Sequence, residues 1–163
     1  MNVTKNYKEL DKYSVVVVTC CNRTKELNSL IKSILLQDLP ADEIIVVSDG
    51  KLGDGVIQNS NIKYIERPLI KYPAPHRNYG LSEAKNELVF ISDDDDLWHP
   101  KKARLQIMIQ KINDAGLVFT EKKDFVDSCI FDTIDDNITF RLISKNTLQI
   151  RNTLPLSSVL FDK

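Results

Sequence analysis

Apolar positions along this chain follow two rhythms, and the rhythm changes wherever turn-forming residues intervene. Residues 13–19 (YSVVVVT) are a continuous β-branched run without polar alternation, which predicts a central parallel strand covered on both faces. After Cys20-Cys21-Asn22-Arg23, Thr24 is placed to cap a helix whose apolar residues Leu27, Leu30, Ile31, Ile34 and Leu35 repeat at helical spacing, ending before Pro40. A second buried-type strand, residues 43–47 (EIIVV), runs into Ser48-Asp49-Gly50 and a turn-rich stretch with Gly53 and Gly55. Strand, helix and strand of these lengths form a right-handed βαβ unit.

Residues 61–66 (NIKYIE) predict a third strand, and Pro68, Pro73 and Pro75 predict an irregular loop after it. A short helix is expected over 78–86 with Leu81 and Ala84 inward, then a fourth strand over 88–91. Pro100 suits a first helical position, and Leu105, Met108, Ile109 and Ile112 mark an apolar helical face that stops at Gly116. Residues 117–120, 138–142 and 156–161 are the remaining strand candidates, and residues 1–12 form a loose polar lead-in. The expectation is a single α/β domain over residues 1–163, regular in its first two thirds and less so afterwards.

Composition narrows the function classes. The chain has 163 residues, and its hydrophobic share of 42% and charged share of 28% are those of an ordinary globular domain. A net charge of −1 argues against general affinity for nucleic acid or anionic membrane, so any anionic ligand needs a local site. The start of the chain is polar and the run Val15 to Val18 is far too short to cross a bilayer, so no transmembrane segment and a cytoplasmic location are expected. Cys20 and Cys21 are adjacent and Cys129 stands alone, which gives neither a disulfide framework nor metal-site spacing; Cys20 or Cys21 is expected to face the core.

The candidate chemistry lies at residues 88–100 (LVFISDDDDLWHP). A β-prone run delivers four adjacent carboxylates, Asp93 to Asp96, to one spot. Such a cluster is either a solvated acidic turn or a cation site, and oxygen-only ligands suit Mg²⁺ or Mn²⁺ better than zinc. Open α/β sheets bind ligands beyond the carboxyl ends of their strands, where Thr19 to Arg23, Ser48 to Gly50 and Asp93 to Asp96 would all fall. A basic loop with Arg67, Lys71, His76 and Arg77 is expected at the same crevice, a combination suited to a metal–diphosphate ligand.

These segments carry a resemblance. VVVVTCCNR resembles the opening strand of glycosyltransferase family 2, inverting nucleotide-sugar enzymes of the GT-A fold, which typically reads V-S-V-I-I-P-T-Y-N-R. EIIVVSDG resembles the family's second strand, HRNYGLSEAKNELVFISDDDDLWHP its A-R-N-x-G through D-x-D-D-x-W-x-P stretch, and RNTLPLSSVLF faintly a later segment. The resemblance implies a Rossmann-like, mostly parallel sheet flanked by helices, with residues 13–110 as the donor half and 111–163 as an abbreviated acceptor side.

It also implies roles. The family's D-x-D falls on Asp93-Asp94-Asp95: Asp95, with Asp93, would bind Mn²⁺ or Mg²⁺ bridging the donor diphosphate, and Asp93 or Asp94 would reach the ribose. Asp96 would be a supporting carboxylate or a helix N-cap. Thr19, Asn22 and Arg23 would lie at the donor pocket, Asp49 or Ser48 would bond the base, and Arg77 would meet the diphosphate. The implied partners are a nucleotide-sugar donor, most naturally UDP-linked, an acceptor that is a glycan, protein or small molecule, and a second copy of the chain in a homo-oligomer. Cys21 stands where the family often has a base-stacking Tyr, and Ser48 replaces the first Asp of the common D-D-G. Family members usually continue into an acceptor-binding half with a catalytic carboxylate; Glu121, Asp124, Asp127, Asp132, Asp135 and Asp136 are candidates between which the sequence does not choose. The rivals are a donor-binding module without transferase activity and a nucleotidyltransferase, though the latter opens with a Gly-rich phosphate loop that Thr19 to Arg23 lacks. His99 reads as a helix-start or packing residue rather than a third metal ligand, Trp98 as a core residue or a sugar-facing wall, and His76 as solvated.

Overall fold

The computed structural model describes residues 12–20, 22–121 and 158–163. Among the described residues six strands form one sheet around β1 (Tyr13–Cys20), which pairs in parallel with β2 (Glu43–Asp49) on one side and β4 (Leu88–Asp93) on the other. Outside β2 lies β3 (Ile62–Arg67), also parallel. Beyond β4 the sheet turns antiparallel: β6 (Leu160–Asp162) pairs with β4, and β5 (Leu117–Val118) closes the edge against β6. The helices are α1 (Thr24–Leu35), α2 (Pro73–Glu83) and α3 (Lys102–Asn113). This is the expected mostly parallel α/β sheet.

Pleating explains why the strand sequences are apolar without alternation. Val15, Val17, Ile44, Val46 and Phe90 pack with Leu27, Leu30, Ile31 and Ile34 of α1, Ala103 and Ile107 of α3, and Trp98. The intervening residues Val16, Ile45, Val47 and Val89 pack on the other face with Tyr79, Leu81 and Ala84 at α2. Both sets are needed because successive side chains point to opposite faces. Each buried aliphatic side chain contributes about 1.5–3 kcal/mol relative to exposure. The second face is sealed by close approach: a Cβ at Gly80 would lie 2.4 Å from Val16 Cγ1 and 3.2 Å from Val47 Cγ2.

Several boundaries differ from the sequence expectation. The expected 78–86 helix begins at Pro73 and ends at Glu83, so two of the prolines read as loop are the start of α2. A first helical residue needs no N–H partner, and proline's fixed φ already suits the helix. Arg23, not Thr24, is the N-cap of α1, with no side-chain capping bond. Pro100 precedes α3, whose N-cap is Lys101. The buried residues of α3 are Lys102, Ala103, Gln106 and Ile107, while Ile112, expected inward, is 65% exposed. Gln106 tolerates burial because its Nε2 donates to the carbonyls of Val118 (2.9 Å) and Ser158 (3.0 Å), tying α3 to the antiparallel edge. Strand β5 is shorter than expected, and candidate 138–142 lies outside the described residues. No described helix is long and apolar enough to cross a membrane.

Candidate functional site

The parallel register brings three strand ends level: Val18 pairs with Asp93, Thr19 with Ser48 and Cys20 with Asp49. Beyond this line the pleat of β4 divides the acidic cluster. Asp93 follows the parity of Val89 and turns toward α2, where its Oδ1 meets Arg77 Nη2 at 2.5 Å. Asp94 follows Phe90 toward the α1 face and is only 6% exposed. Its Oδ2 accepts bonds from Thr19 Oγ1 at 2.6 Å and Arg23 Nε at 2.9 Å. The same guanidinium donates through Nη2 to Asp95 Oδ2 at 2.9 Å, and Asp95 is exposed. Asn22, at φ +68°, makes the left-handed turn that aims Arg23 back at the cluster.

Sequence-distant residues therefore meet here, and the charges do not cancel. Three consecutive carboxylates, Asp93 to Asp95, face two guanidiniums, leaving a site that still favours a cation. Burial pushes the Asp94 carboxyl above its ordinary value, against the opposing bonds from Thr19 and Arg23. For Arg23, partial burial works against the charge, but the bonds to Asp94 and Asp95 prevail and hold its pKa above the ordinary one.

At the end of β2, Ser48 and Asp49 point to opposite faces. Ser48 is fully buried and its Oγ has no hydrogen-bond partner among the described residues. Asp49 is 7% exposed and its carboxylate is occupied: Oδ1 accepts from Ile70 N at 2.7 Å and Oδ2 from Lys71 N at 2.8 Å. His76 Nε2 lies 3.0 Å from Asp49 Oδ1, off the line of a hydrogen bond. Burial would raise the Asp49 pKa, but the Ile70, His76 and Lys71 contacts outweigh it and hold the carboxyl below its ordinary value. The next residue, Gly50, has φ +96° and donates its N–H to Arg67 O at 2.9 Å, a backbone conformation that favours glycine.

Three expectations for single residues change. His76, expected solvated, is 1% exposed on α2. Arg77 belongs to the same helix rather than to a loop. Asp96 is not a helix N-cap, since α3 starts later; its N–H closes a turn onto Asp93 O at 3.3 Å. Cys20 is exposed, and Cys21 lies outside the described residues. Trp98 is a core residue, 2% exposed, donating Nε1 to Ser92 Oγ at 3.0 Å and lying 5.0 Å from the Phe90 ring. His99 marks the approach to α3: its Nδ1 accepts from Lys101 N at 3.3 Å. Of the later acids only Glu121 is described, and it is exposed.

The donor set fits a hard divalent cation, with alternate acids Asp93 and Asp95 on the accessible side of the cluster and Asp94 beneath. No three Asp, Glu, His or Cys side chains among the described residues form a ready-made cage. A cation would thus take one or two carboxylates and complete its shell from phosphate and water, the usual mode of Mg²⁺. A groove of about 360 Å³ lined by Lys12, Lys85, Glu87, Gln110 and Asp162 lies instead near the start of β4, away from the acids.

Sheet order, helix placement and a strand-end site together define a GT-A-type α/β domain. The fold is shared with S. aureus TarS 1-349, with a TM-score of 0.64 and 20% identity, over 93% of this chain and 47% of that one. It is also shared with a mannosyltransferase from Pyrobaculum calidifontis, solved with GDP-Man and Mn2+, with a TM-score of 0.56 and 22% identity over 68% and 35% of the two chains. The model of glycosyl transferase family 2 matches residues 15–158, and the chain belongs to that family. An uncharacterized glycosyltransferase of Bacillus subtilis, YwdF, is 32% identical over 117 residues, which are 68% of this chain and 41% of the relative. The GalNAc(5)-diNAcBac-PP-undecaprenol beta-1,3-glucosyltransferase of Campylobacter jejuni is 38% identical over 115 residues, 65% of this chain and 36% of the relative. The chain thus spans about two fifths of these relatives' length.

Proposed function

We propose that this domain binds a nucleotide-diphosphate sugar, UDP-linked, together with Mn²⁺ or Mg²⁺, and serves transfer of the glycosyl group to an acceptor with inversion. The observation that carries the reading is the pairing of Arg23 and Arg77 with the strand-end carboxylates Asp93, Asp94 and Asp95. Both arginines are positioned to exchange a carboxylate for a diphosphate oxygen, a charge-assisted contact of similar geometry. Asp93 and Asp95 would hold the cation, whose chemistry when bound is to offset the charge that builds on the departing nucleotide. Asp94, fixed by Thr19 and Arg23, forms the floor of the site, which leaves Asp93 to reach the ribose. Thr19, Asn22 and Ser48 line the nucleoside side, and the buried Ser48 hydroxyl has no partner among the described residues. S. aureus TarS 1-349 has been solved with UDP and with UDP-GlcNAc, in line with a UDP-linked donor.

Calorimetry with UDP, UDP-GlcNAc, GDP and GDP-mannose, in Mn²⁺ and in EDTA, tests the reading. Binding of a uridine ligand in Mn²⁺ that is lost in EDTA is the expected result. Equal affinity in EDTA would remove the cation, a guanosine preference would remove the uridine assignment, and no binding by any ligand would remove the donor reading.

A further inference from the structure

The acidic run leaves β4 through a turn, and one helix holds both sides of that turn. On the near side, Arg23 at the start of α1 binds Asp94 and Asp95. The turn closes where Asp96 N meets Asp93 O, and only Leu97 separates it from Trp98, whose backbone N–H donates to Ser33 Oγ on α1 at 3.0 Å. Gln37, just past the end of α1, takes the stretch that follows: its Nε2 donates to His99 O at 2.8 Å and its Oε1 accepts from Ala103 N at 3.0 Å. Asp38 N donates to Pro100 O at 2.9 Å. Ser33 and Gln37 are 8% and 5% exposed, and polar side chains tolerate such burial when their bonds are made.

The Gln37 amide also serves two helix ends. Its Nε2 donates to Ser33 O, a carbonyl in the last turn of α1, at 3.1 Å. Ala103 N is one of the first amides of α3, whose N-cap Lys101 makes no side-chain capping bond, so α3 is capped from α1 instead. The span that carries Asp94, Asp95 and Asp96 is thus fixed at one end by pairing of β4 with β1 and at the other by Ser33 and Gln37. From this arrangement we infer that Ser33 and Gln37 are positioning residues: they fix the exit of the acidic turn, and so set how Asp95 stands to Asp93 when a cation binds. Both act through the backbone of the turn. The functional consequence rests on the cation and donor reading above, while the anchoring itself does not. Gln37→Met keeps the length of the side chain and removes its donor and acceptor, leaving Ala103 N without its partner.

The test has two readouts. In ligand-free protein, hydrogen exchange should accelerate about tenfold at Ala103 in Gln37→Met and at Trp98 in Ser33→Ala, with β1 and β4 still protected. UDP affinity in Mn²⁺ and in EDTA is then measured for wild type, Gln37→Met, Asp95→Asn and the double variant. Gln37→Met should cut the advantage that Mn²⁺ gives by about fivefold and leave affinity in EDTA unchanged. It should remove nothing more once Asp95 is gone, the non-additivity expected of residues acting through one another. A merely structural role would lower Tm and leave the Mn²⁺ advantage intact. That result, losses additive with Asp95→Asn, or wild-type exchange at Ala103 would each overturn the inference. Ser33→Ala is the second variant, expected to act in the same direction and to carry the cycle if Gln37→Met does not fold. If wild type itself gains nothing from Mn²⁺, the cation reading fails and the inference falls with it; a wild-type gain that survives both substitutions overturns the inference alone.

Discussion

Gly80→Ala probes the tightest contact between α2 and the sheet. Carbon atoms pack comfortably at about 3.5–4.0 Å. The new methyl would sit 2.4 Å from Val16 Cγ1 and 3.2 Å from Val47 Cγ2, so something must give by roughly 1 Å or more. Val16 and Val47 are fully buried in the middle of paired strands, which leaves the helix as the part that moves. Overpacking of this kind costs about 1–3 kcal/mol, while alanine's better helix propensity returns up to about 1 kcal/mol. A net loss of about 1–2 kcal/mol is expected, which lowers Tm by about 2–8 °C in a domain of this size. The second effect is local. Arg77 lies on the same helix less than one turn away, and lifting it by about 1 Å takes its guanidinium out of hydrogen-bond range of Asp93 and of any diphosphate. Thermal unfolding and UDP calorimetry of Gly80→Ala, Val16→Ala and the double variant measure both effects. In the double variant the new methyl enters the space Val16 vacates, so it should be more stable than the sum of the two single losses by about 1 kcal/mol. A Gly80→Ala protein at least as stable as wild type, or strictly additive losses, would refute the steric argument.

Arg77→Ala is expected to weaken UDP binding about 10- to 100-fold, the worth of a charge-assisted contact, while free uridine binds unchanged in competition measurements; equal losses for both would count against a diphosphate contact. Asp95→Asn removes an exposed carboxylate from the cation side, so the gap between UDP affinity in Mn²⁺ and in EDTA should shrink by about tenfold, with the fold intact by circular dichroism. Asp49 has a carboxyl held below its ordinary value, so its stabilising contribution is fully present above the unfolded pKa of about 4 and fades as pH falls through the lower folded value. The stability difference between wild type and Asp49→Asn in denaturant titrations should therefore narrow as pH falls below about 4; a difference that widens below that pH would reverse the sign of the argument.

The strands of the parallel half were legible because burial on both faces leaves an unbroken apolar run, as in VVVV and EIIVV. Helix α1 was legible from its spacing, while α3 was misread by about two positions. There the buried positions include Lys102 and Gln106, polar side chains satisfied by strand backbones that no periodicity of apolar residues can reveal. Helix α2 hid behind two prolines that signal a loop in isolation and a helix start in context; the pair His76 and Gly80, four apart on one face, was the available clue. The acidic and basic groups of the site were each visible, but their partners were not. That Arg23 spans Asp94 and Asp95, and that Asp49 holds the turn before α2, depend on register between strands more than twenty residues apart in sequence.

The division of the acidic run by the strand pleat has a consequence for how the site tolerates change. A D-x-D pattern occurs twice here, as Asp93 with Asp95 and as Asp94 with Asp96, and the geometry of β4 selects between the two frames by sending Asp93 to α2 and Asp94 to α1. Deleting one residue just before the run would bring Asp94, Asp95 and Asp96 to the places of Asp93, Asp94 and Asp95, whereas an insertion would leave Arg77 facing a residue other than aspartate. The fourth letter is thus a spare in one direction: a slip that would scramble an alternating motif leaves, when it shortens the approach, a carboxylate at every place where one is used.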